Sequence, residues 1–326
     1  MTMGEFELIA RYFDRPARRA ALGVGDDCAL LQPGPGMQLA VSSDMLVEGR
    51  HFLSSVDPAR LGHKALAVNL SDLAACAAQP MAFTLALALP AADASWLEPF
   101  AGGLLALADL HGCELVGGDT TRGPLNICIT VFGEVPTGQA LLRSGARDGD
   151  DIYVSGTLGD ARMALEAFRG TIALPADVFE QARQRMEQPT PRVALGLALR
   201  GIASAAIDIS DGLLGDLGHV LRSSGVGASI DTVVALELLA ARAPGPGRWI
   251  HPNPQRQLEW VLAGGDDYEL AFTAPVRNRD AVQVAARQAR TAVTRIGRVE
   301  ARPGLRLRDA QGLEVPHHYE SFDHFA

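Results

Sequence analysis

Six aspartates stand in short stretches where glycine, serine, threonine or asparagine crowd around a carboxylate. They are Asp27 in Gly23-Val24-Gly25-Asp26-Asp27, Asp44 after Ser42 and Ser43, Asp72 in Asn69-Leu70-Ser71-Asp72, Asp119 in Gly117-Gly118-Asp119-Thr120-Thr121, and Asp208 and Asp211 in Asp208-Ile209-Ser210-Asp211-Gly212. Carboxylates and hydroxyls are oxygen ligands, and without clustered His or Cys they suit Mg²⁺ better than zinc. Glycines let backbone approach an ion or a phosphate closely. Each stretch has a plain alternative when taken alone. Ser42 to Asp44 can be a solvated turn, Asp72 can pair with an arginine, and Asp211 can cap the helix that follows it. Gathered in one cleft, such carboxylates would repel. Two charges ~4 Å apart cost about 1 kcal/mol in water and about 4 kcal/mol at an effective dielectric near 20. A cluster of them needs cations, and Mg²⁺ held by acids beside Gly-rich loops is the usual apparatus for a nucleoside triphosphate. Arg143 suits a bidentate phosphate contact.

The whole chain narrows the options. Its 326 residues suggest two domains of ordinary size, and 48% hydrophobic against 21% charged residues is enough to bury a proper core. The net charge of −9 disfavours nucleic acid or an anionic membrane as main partner. Lys64 is the only lysine and lies between His63 and Ala65, so a Gly-Lys-Ser/Thr phosphate loop is absent. Cys28, Cys76, Cys113 and Cys128 form no C-x-x-C pair and have apolar neighbours, which reads as buried free thiols in a reducing compartment. The first residues contain acids and no long apolar core, unlike a signal peptide, and the apolar run from Met81 to Leu89 is too short for a membrane span. A cytoplasmic protein is expected.

The elements that must position these residues follow from periodicity and punctuation. A strand ends at Ser42. Asp57-Pro58 reads as N-cap and first residue of a helix running to about Ala78, on which Asn69 and Asp72 share a face. A strand over Met81–Leu89, a helix over Ala92–His111, a short strand over Glu114–Val116 opening into a Gly-Asp-Thr loop, and a strand over Ile127–Val135 complete an α+β half. The boundary is expected at Leu142-Arg143, giving domains 1–142 and 143–326. The second half reads as strand 151–155, a Gly-rich turn into a helix, helices over 176–186 and 193–200, strand 205–209 and helix 213–223. A loop over 243–248, a strand through Thr273, then a helix and two strands complete it. The turn Gly156-Thr157-Leu158-Gly159 is open to two readings, phosphate binding or close packing.

Eight ordered stretches resemble the thiamine-monophosphate kinase family: GVGDDCALL, VSSDMLVEGRHF, NLSDLAA, GGDTTRG, Arg143-Ser144-Gly145-Ala146, AIDISDGLLGDLGH, GGDDYELAFT and FDHF. The resemblance runs over nearly the whole chain. It implies the aminoimidazole-ribonucleotide-synthetase-like fold, with an α+β N-terminal domain, an α/β C-terminal domain, and a homodimer built through the N-terminal sheets. It implies ATP and Mg²⁺, and the conversion of thiamine monophosphate to thiamine diphosphate, the last step in making that cofactor. Asp27, Ser42, Ser43, Asp44, Asp72, Asp119 and Asp208 are implied as Mg²⁺ ligands, with Asp211 at a further site. Gly118, Asp119, Arg143 and Ser210 are implied at ATP, and His51, Asp266 and Phe322 at thiamine monophosphate. Three positions depart from the family's pattern: Ser43 where Thr is usual, Asp266 where Glu is usual, and Phe322 where Tyr or Trp is common.

The implied nucleophile is a phosphate oxygen, already largely ionised near neutral pH because the second pKa of a phosphate ester is about 6. Catalysis then consists of alignment and electrostatics, with His51 orienting the acceptor. Selenophosphate synthetase and the hydrogenase-maturation dehydratase are disfavoured, because no cysteine precedes Gly23 and the chain ends in His324-Phe325-Ala326. A Mg²⁺-nucleotide binding protein without turnover and a Mg²⁺-dependent phosphatase are the remaining alternatives.

Overall fold

The computed structural model describes residues 4–25, 27–243, 248–316 and 319. The chain forms two compact units, Met1–Leu73 with Ala78–Gly138, and Ala74–Ala77 with Gln139–Ala326.

The first unit contains α1 (Glu5–Tyr12), β1 (Met37–Val47), α2 (Pro58–Ala75), β2 (Gln79–Leu89), α3 (Ala94–His111), β3 (Glu114–Arg122) and β4 (Asn126–Pro136). Its sheet has the order β1-β4-β2-β3, antiparallel except for the parallel β2–β3 pair. The expected cap holds: Asp57 Oδ1 accepts the N–H groups of Ala59 and Arg60, and Pro58 opens α2. Strand alternation sorts the two faces of the sheet. Ile129 and Val131 of β4 and Phe83 and Leu85 of β2 are buried. Ser42 and Asp44 of β1 lie opposite Val131 and Ile129 and share that face. It is covered by α2, whose Leu66, Leu70 and Leu73 are buried. Met37, Leu39, Val41 and Met45 of β1 lie on the other face and are exposed, Val41 at 56%.

Two strands run further than their composition suggests. β1 continues through Ser42-Ser43-Asp44 to Val47, because all eleven of its residues pair with β4. β3 continues through Gly117-Gly118-Asp119-Thr120-Thr121 to Arg122, paired with β2 to its end. Its register shifts between Leu115 and Gly117, so Val116 is an extra residue in the strand, the kind of bulge that re-aims the side chains beyond it. Asp44 and Asp119 are therefore strand residues, not loop residues.

The second unit carries β5 (Asp151–Ser155), α4 (Asp160–Phe168), α5 (Ala176–Glu187), α6 (Val193–Ala198), β6 (Ala205–Ile209), α7 (Leu213–Ser224), β7 (Gly227–Asp231), α8 (Thr232–Leu236), α9 (Pro254–Ala263), β8 (Glu269–Ala274), α10 (Arg279–Gln288), β9 (Val293–Glu300), β10 (Gly304–Arg308) and β11 (Glu314–Val315). Its sheet order is β11-β10-β7-β9-β5-β8-β6. β5, β6 and β8 are buried along their whole length, β6 included although it is the last strand of the sheet. α1, α9 and the short elements β7, α8 and β11 stand beyond the elements expected from the sequence. The cysteines differ too: none of the four is in a disulfide, but Cys28 and Cys76 are exposed, Cys128 is intermediate, and Cys113 alone is buried. Burial pushes the Cys113 thiol up to about 12.

Candidate active site

In the first unit the polar end of β1 meets α2. Ser42 Oγ donates to Asp72 Oδ2 at 2.5 Å. Asn69, one turn earlier and 1% exposed, accepts the Asp44 N–H at 3.1 Å and donates to the Ala65 carbonyl at 3.0 Å. Side chains three apart on one helix face thus fix two strand residues two apart, which brings Ser42, Asp44 and Asp72 together. Ser43 is directed differently. Its hydroxyl lies 2.9 Å from Thr130 Oγ1 and donates to the Ile129 carbonyl at 3.1 Å, on the face away from Ser42 and Asp44. His51 closes the turn after β1: its Nδ1 accepts the Val47 N–H at 3.0 Å, which assigns the ring proton to Nε2.

Gly118 and Asp119 follow the bulge in β3 and are exposed. A Cβ at Gly118 would stand 1.9 Å from the Leu85 carbonyl oxygen, so only glycine permits this approach of β3 to β2. Asp27 is exposed, in a loop closed by the Leu22–Leu30 bridge. Glu114 anchors the approach to that loop by accepting the N–H groups of Arg18, Arg19 and Ala20 at 3.0–3.3 Å. Arg19 in turn donates to the Pro80 carbonyl and to Glu134, both at 2.9 Å.

In the second unit two loops are stitched together at the ends of neighbouring strands. Asp208, in β6, is 6% exposed and pairs with Leu270 of β8. Beyond it, the Ser210 carbonyl accepts the Asp266 N–H at 2.7 Å, and the Ile209 carbonyl accepts the Tyr268 N–H at 2.8 Å. Asp266 and Tyr268 both adopt left-handed backbone, at φ 62° and 52°. That conformation is uncommon for a residue with a side chain, and rarest for bulky ones. Gly265 between the strands' ends is left-handed as well, and a Cβ there would lie 2.7 Å from the Ser210 carbonyl oxygen. Asp208, Ser210, Asp211 and Asp266 are thereby brought to the same end of the β6–β8 pair.

Buried charges lie at the start of β8, next in sequence to Asp266. Glu269 is fully buried; it receives Arg185 at 2.6 Å, Arg192 at 2.5 and 2.6 Å, and the Ser155 hydroxyl at 2.5 Å. Asp267 accepts the Gly159 N–H, and burial holds its carboxyl well above the usual range. Asp160 accepts the Thr157 hydroxyl and the Ala240 N–H, and burial pushes it up to about 6. The Gly-rich turn before α4 thus already has its Gly159 amide bonded to a carboxylate, with two buried acids beside it. That surrounding favours packing over phosphate binding.

Arg143 lies at the other end of α7. Ser224 Oγ donates to the Arg143 carbonyl at 3.3 Å and accepts the Gly145 and Ala146 N–H groups at 3.1 and 3.2 Å. Ser210 and Asp211 precede the helix, and its 12 residues span about 18 Å. His219, between the two ends, is held below the usual range by burial and by Arg222 and Arg143, with Asp211 opposing. Phe322 lies outside the described residues. Among the described residues, no three His, Cys, Asp or Glu side chains come together as a ready-made metal cage.

The family described as AIR synthase related protein matches this chain twice, its N-terminal domain at residues 25–135 and its C-terminal domain at residues 147–310. The thiamine-monophosphate kinase of Salmonella typhimurium is 47% identical, over 100% of this chain and 99% of that protein. The chain belongs to the thiamine-monophosphate kinase family. The crystal structure of thiamine-monophosphate kinase from Stenotrophomonas maltophilia superimposes with a TM-score of 0.82 at 44% identity, covering 94% of this chain and 97% of that one. AaThiL complexed with AMPPCP and TMP superimposes with a TM-score of 0.74 at 31% identity, covering 90% and 89%. The two-domain α+β fold and the kinase class of this chain follow from that membership. Among the described residues no helix is long and apolar enough to cross a membrane.

Proposed function

We propose that this thiamine-monophosphate kinase transfers the γ-phosphoryl group of ATP directly and in line to the phosphate of thiamine monophosphate, with Mg²⁺. The observation that carries the reading is the likeness, over nine-tenths of the chain, to a kinase complexed with both AMPPCP and TMP. The donor set fits a hard cation, because Ser42, Asp44 and Asp72 supply oxygen alone. Mg²⁺ keeps several waters and takes one or two carboxylates plus phosphate oxygens, so the proposed carboxylates would divide among several Mg²⁺ ions. Bound there, the ion would neutralise and orient the triphosphate.

The proposed ligands are Asp27, Ser42, Ser43, Asp44, Asp72, Asp119 and Asp208, with Asp211 at a further site. Ser43 would act through its main chain, since its hydroxyl is engaged on the other face of the sheet. Gly118, Asp119, Arg143 and Ser210 would hold ATP. A nucleotide touching both Ser210 and Arg143 has to lie along α7. His51 would present Nε2–H to the acceptor phosphate. Asp266 and Phe322 would meet the thiamine, whose cationic thiazolium suits an aromatic face and a carboxylate. No general base is required of the chain, because the attacking oxygen is already ionised. Residues 1–142 would bind metal and ATP and form the dimer, and residues 143–326 would complete the site. The exposed stripe Met37, Leu39, Val41 and Met45 supports a homodimer through the first unit's open sheet face.

The stereochemical course at phosphorus tests direct transfer. ATP made chiral at the γ-phosphorus should give thiamine diphosphate with inverted configuration. Retention would mean a phosphorylated enzyme intermediate and would contradict the in-line reading.

A further inference from the structure

Three consecutive amides between β6 and α7 converge on one buried oxygen. Asp216 lies in the first turn of α7 and is 4% exposed. Its Oδ2 accepts the N–H of Ser210 at 3.0 Å, of Asp211 at 3.1 Å and of Gly212 at 3.1 Å. Ordinary N-capping runs the other way, from a residue before the helix to amides inside it. Here the N-cap position is Gly212, which has no side chain to offer. Asp211, for which capping is the plain alternative to a metal site, is one of the three residues whose amides are held.

Successive amides that point into one concavity make an anion site suited to phosphate. In this chain the concavity is filled by the protein's own carboxylate. The phosphates of a nucleotide are therefore left to side chains and metal rather than to these amides. Ser210 is tied on both sides: its N–H goes to Asp216, and its carbonyl accepts the Asp266 N–H at 2.7 Å. The neighbouring Ile209 carbonyl takes the Tyr268 N–H at 2.8 Å. A displacement of the Asp216 oxygen is thus transmitted to Ser210 and Asp211 directly and to the Asp266–Tyr268 loop through two backbone bonds.

We propose that Asp216 is a positioning residue for phosphoryl transfer: without touching substrate, its carboxylate oxygen fixes the backbone that presents Ser210, Asp211 and Asp266. This rests on the reading of those residues as ATP, metal and thiamine monophosphate contacts. It makes the place of the oxygen matter more than its charge, which separates it from an electrostatic or ligand role. Asp216→Asn keeps an acceptor in place without the charge. Asp216→Glu keeps the charge and moves the oxygen by a methylene.

In the full-length chain, Asp216→Asn should retain kcat within about 5-fold, the loss reflecting a weaker neutral acceptor. Asp216→Glu should lower kcat about 10- to 100-fold, as misplacement by an ångström does. Amide hydrogen exchange should rise about tenfold in Asp216→Glu at residues 209–212 and 266–268, with the rest of the second unit unchanged. The reverse order, an active Glu variant and an inactive Asn variant, overturns the proposal. So does an Asn variant that loses kcat while exchange in the loop stays as in wild type, a result that stands even if the Glu variant does not fold. A wild-type chain that makes no thiamine diphosphate removes the reaction itself. An active wild type with a fully active Glu variant removes only the role of Asp216.

Discussion

Asp72 is the carboxylate whose neighbourhood would tie the proposed Mg²⁺ binding most directly to the fold. It sits on the face of α2 that also carries Asn69, and its Oδ2 is 2.5 Å from the Ser42 hydroxyl. An asparagine there still accepts that hydrogen bond, so Asp72→Asn should fold normally. It should lower kcat about 10²- to 10³-fold, the scale of removing one preorganised electrostatic group, and shift the Mg²⁺ dependence to higher concentration. Wild-type Mg²⁺ dependence in that variant would rule Asp72 out as a ligand. Residue types alone singled out Asp72 and the Asn69 face, because a carboxylate on an apolar helix is costly unless it has a task. They did not single out Asn69 itself, Asp216 or Glu269. Asn69 looks like an ordinary helix residue until β1 is laid beside it. Asp216 acts on amides that precede it, and Glu269 sits in an apolar strand whose arginine partners come from α5 and from the segment before α6.

At the scale of elements, the Asp266 loop keeps two left-handed side-chain residues, and the buried ion network of the adjoining strand reaches it where Arg185 donates to the Asp267 carbonyl at 3.3 Å. Glu269→Gln would leave Arg185 and Arg192 partly buried beside a neutral amide. Breaking such a pair costs about 3–5 kcal/mol, so urea unfolding should show a loss of that order. A loss below about 1 kcal/mol would mean the network contributes little to the loop. The same region sets a pH dependence. Burial raises the Asp160 carboxyl to about 6, so the folded state holds its proton more tightly than the unfolded chain, where the value is 3.8. That contribution is fully present below pH 3.8 and is lost as pH rises through about 6. Its size is about 3 kcal/mol at 1.36 kcal/mol per unit. Asp267 and Asp216, raised by burial as well, act in the same direction. Asp160→Asn keeps an oxygen to accept the Ala240 N–H, turns its amide NH2 as a donor to the Thr157 hydroxyl, and should flatten the fall in stability between pH 4 and 7. An unchanged slope would contradict the assignment. The element boundaries that sequence gives well are those set by local chemistry: β5, β6 and the start of α2 at Pro58 fall where expected. β3 runs six residues past Val116 because its partner β2 supplies the pairing that Gly117-Gly118-Asp119-Thr120-Thr121-Arg122 does not signal by itself.

Across the whole molecule, the order of motifs along the chain is legible from end to end, and so is a two-domain architecture of mixed sheets with helices. What single residues could not show was which side of a strand each one faces. Ser43 and Met45 alternate with Ser42 and Asp44, and that alternation assigns the first pair to the open sheet face. Val41 lies on the same open face and is 56% exposed. If two copies meet there, Val41→Arg should convert a dimer to a monomer by light scattering at micromolar concentration. A monomeric wild type would remove the dimer.

The most direct test of the central claim is product identity. The purified chain is incubated with ATP, Mg²⁺ and thiamine monophosphate, and the mixture is resolved by chromatography. Thiamine diphosphate and ADP should appear in equal amounts, and both should vanish when EDTA is added. ADP with inorganic phosphate and no thiamine diphosphate would show a phosphatase-like hydrolysis and would contradict the account; bound ATP with no ADP at all would contradict it equally.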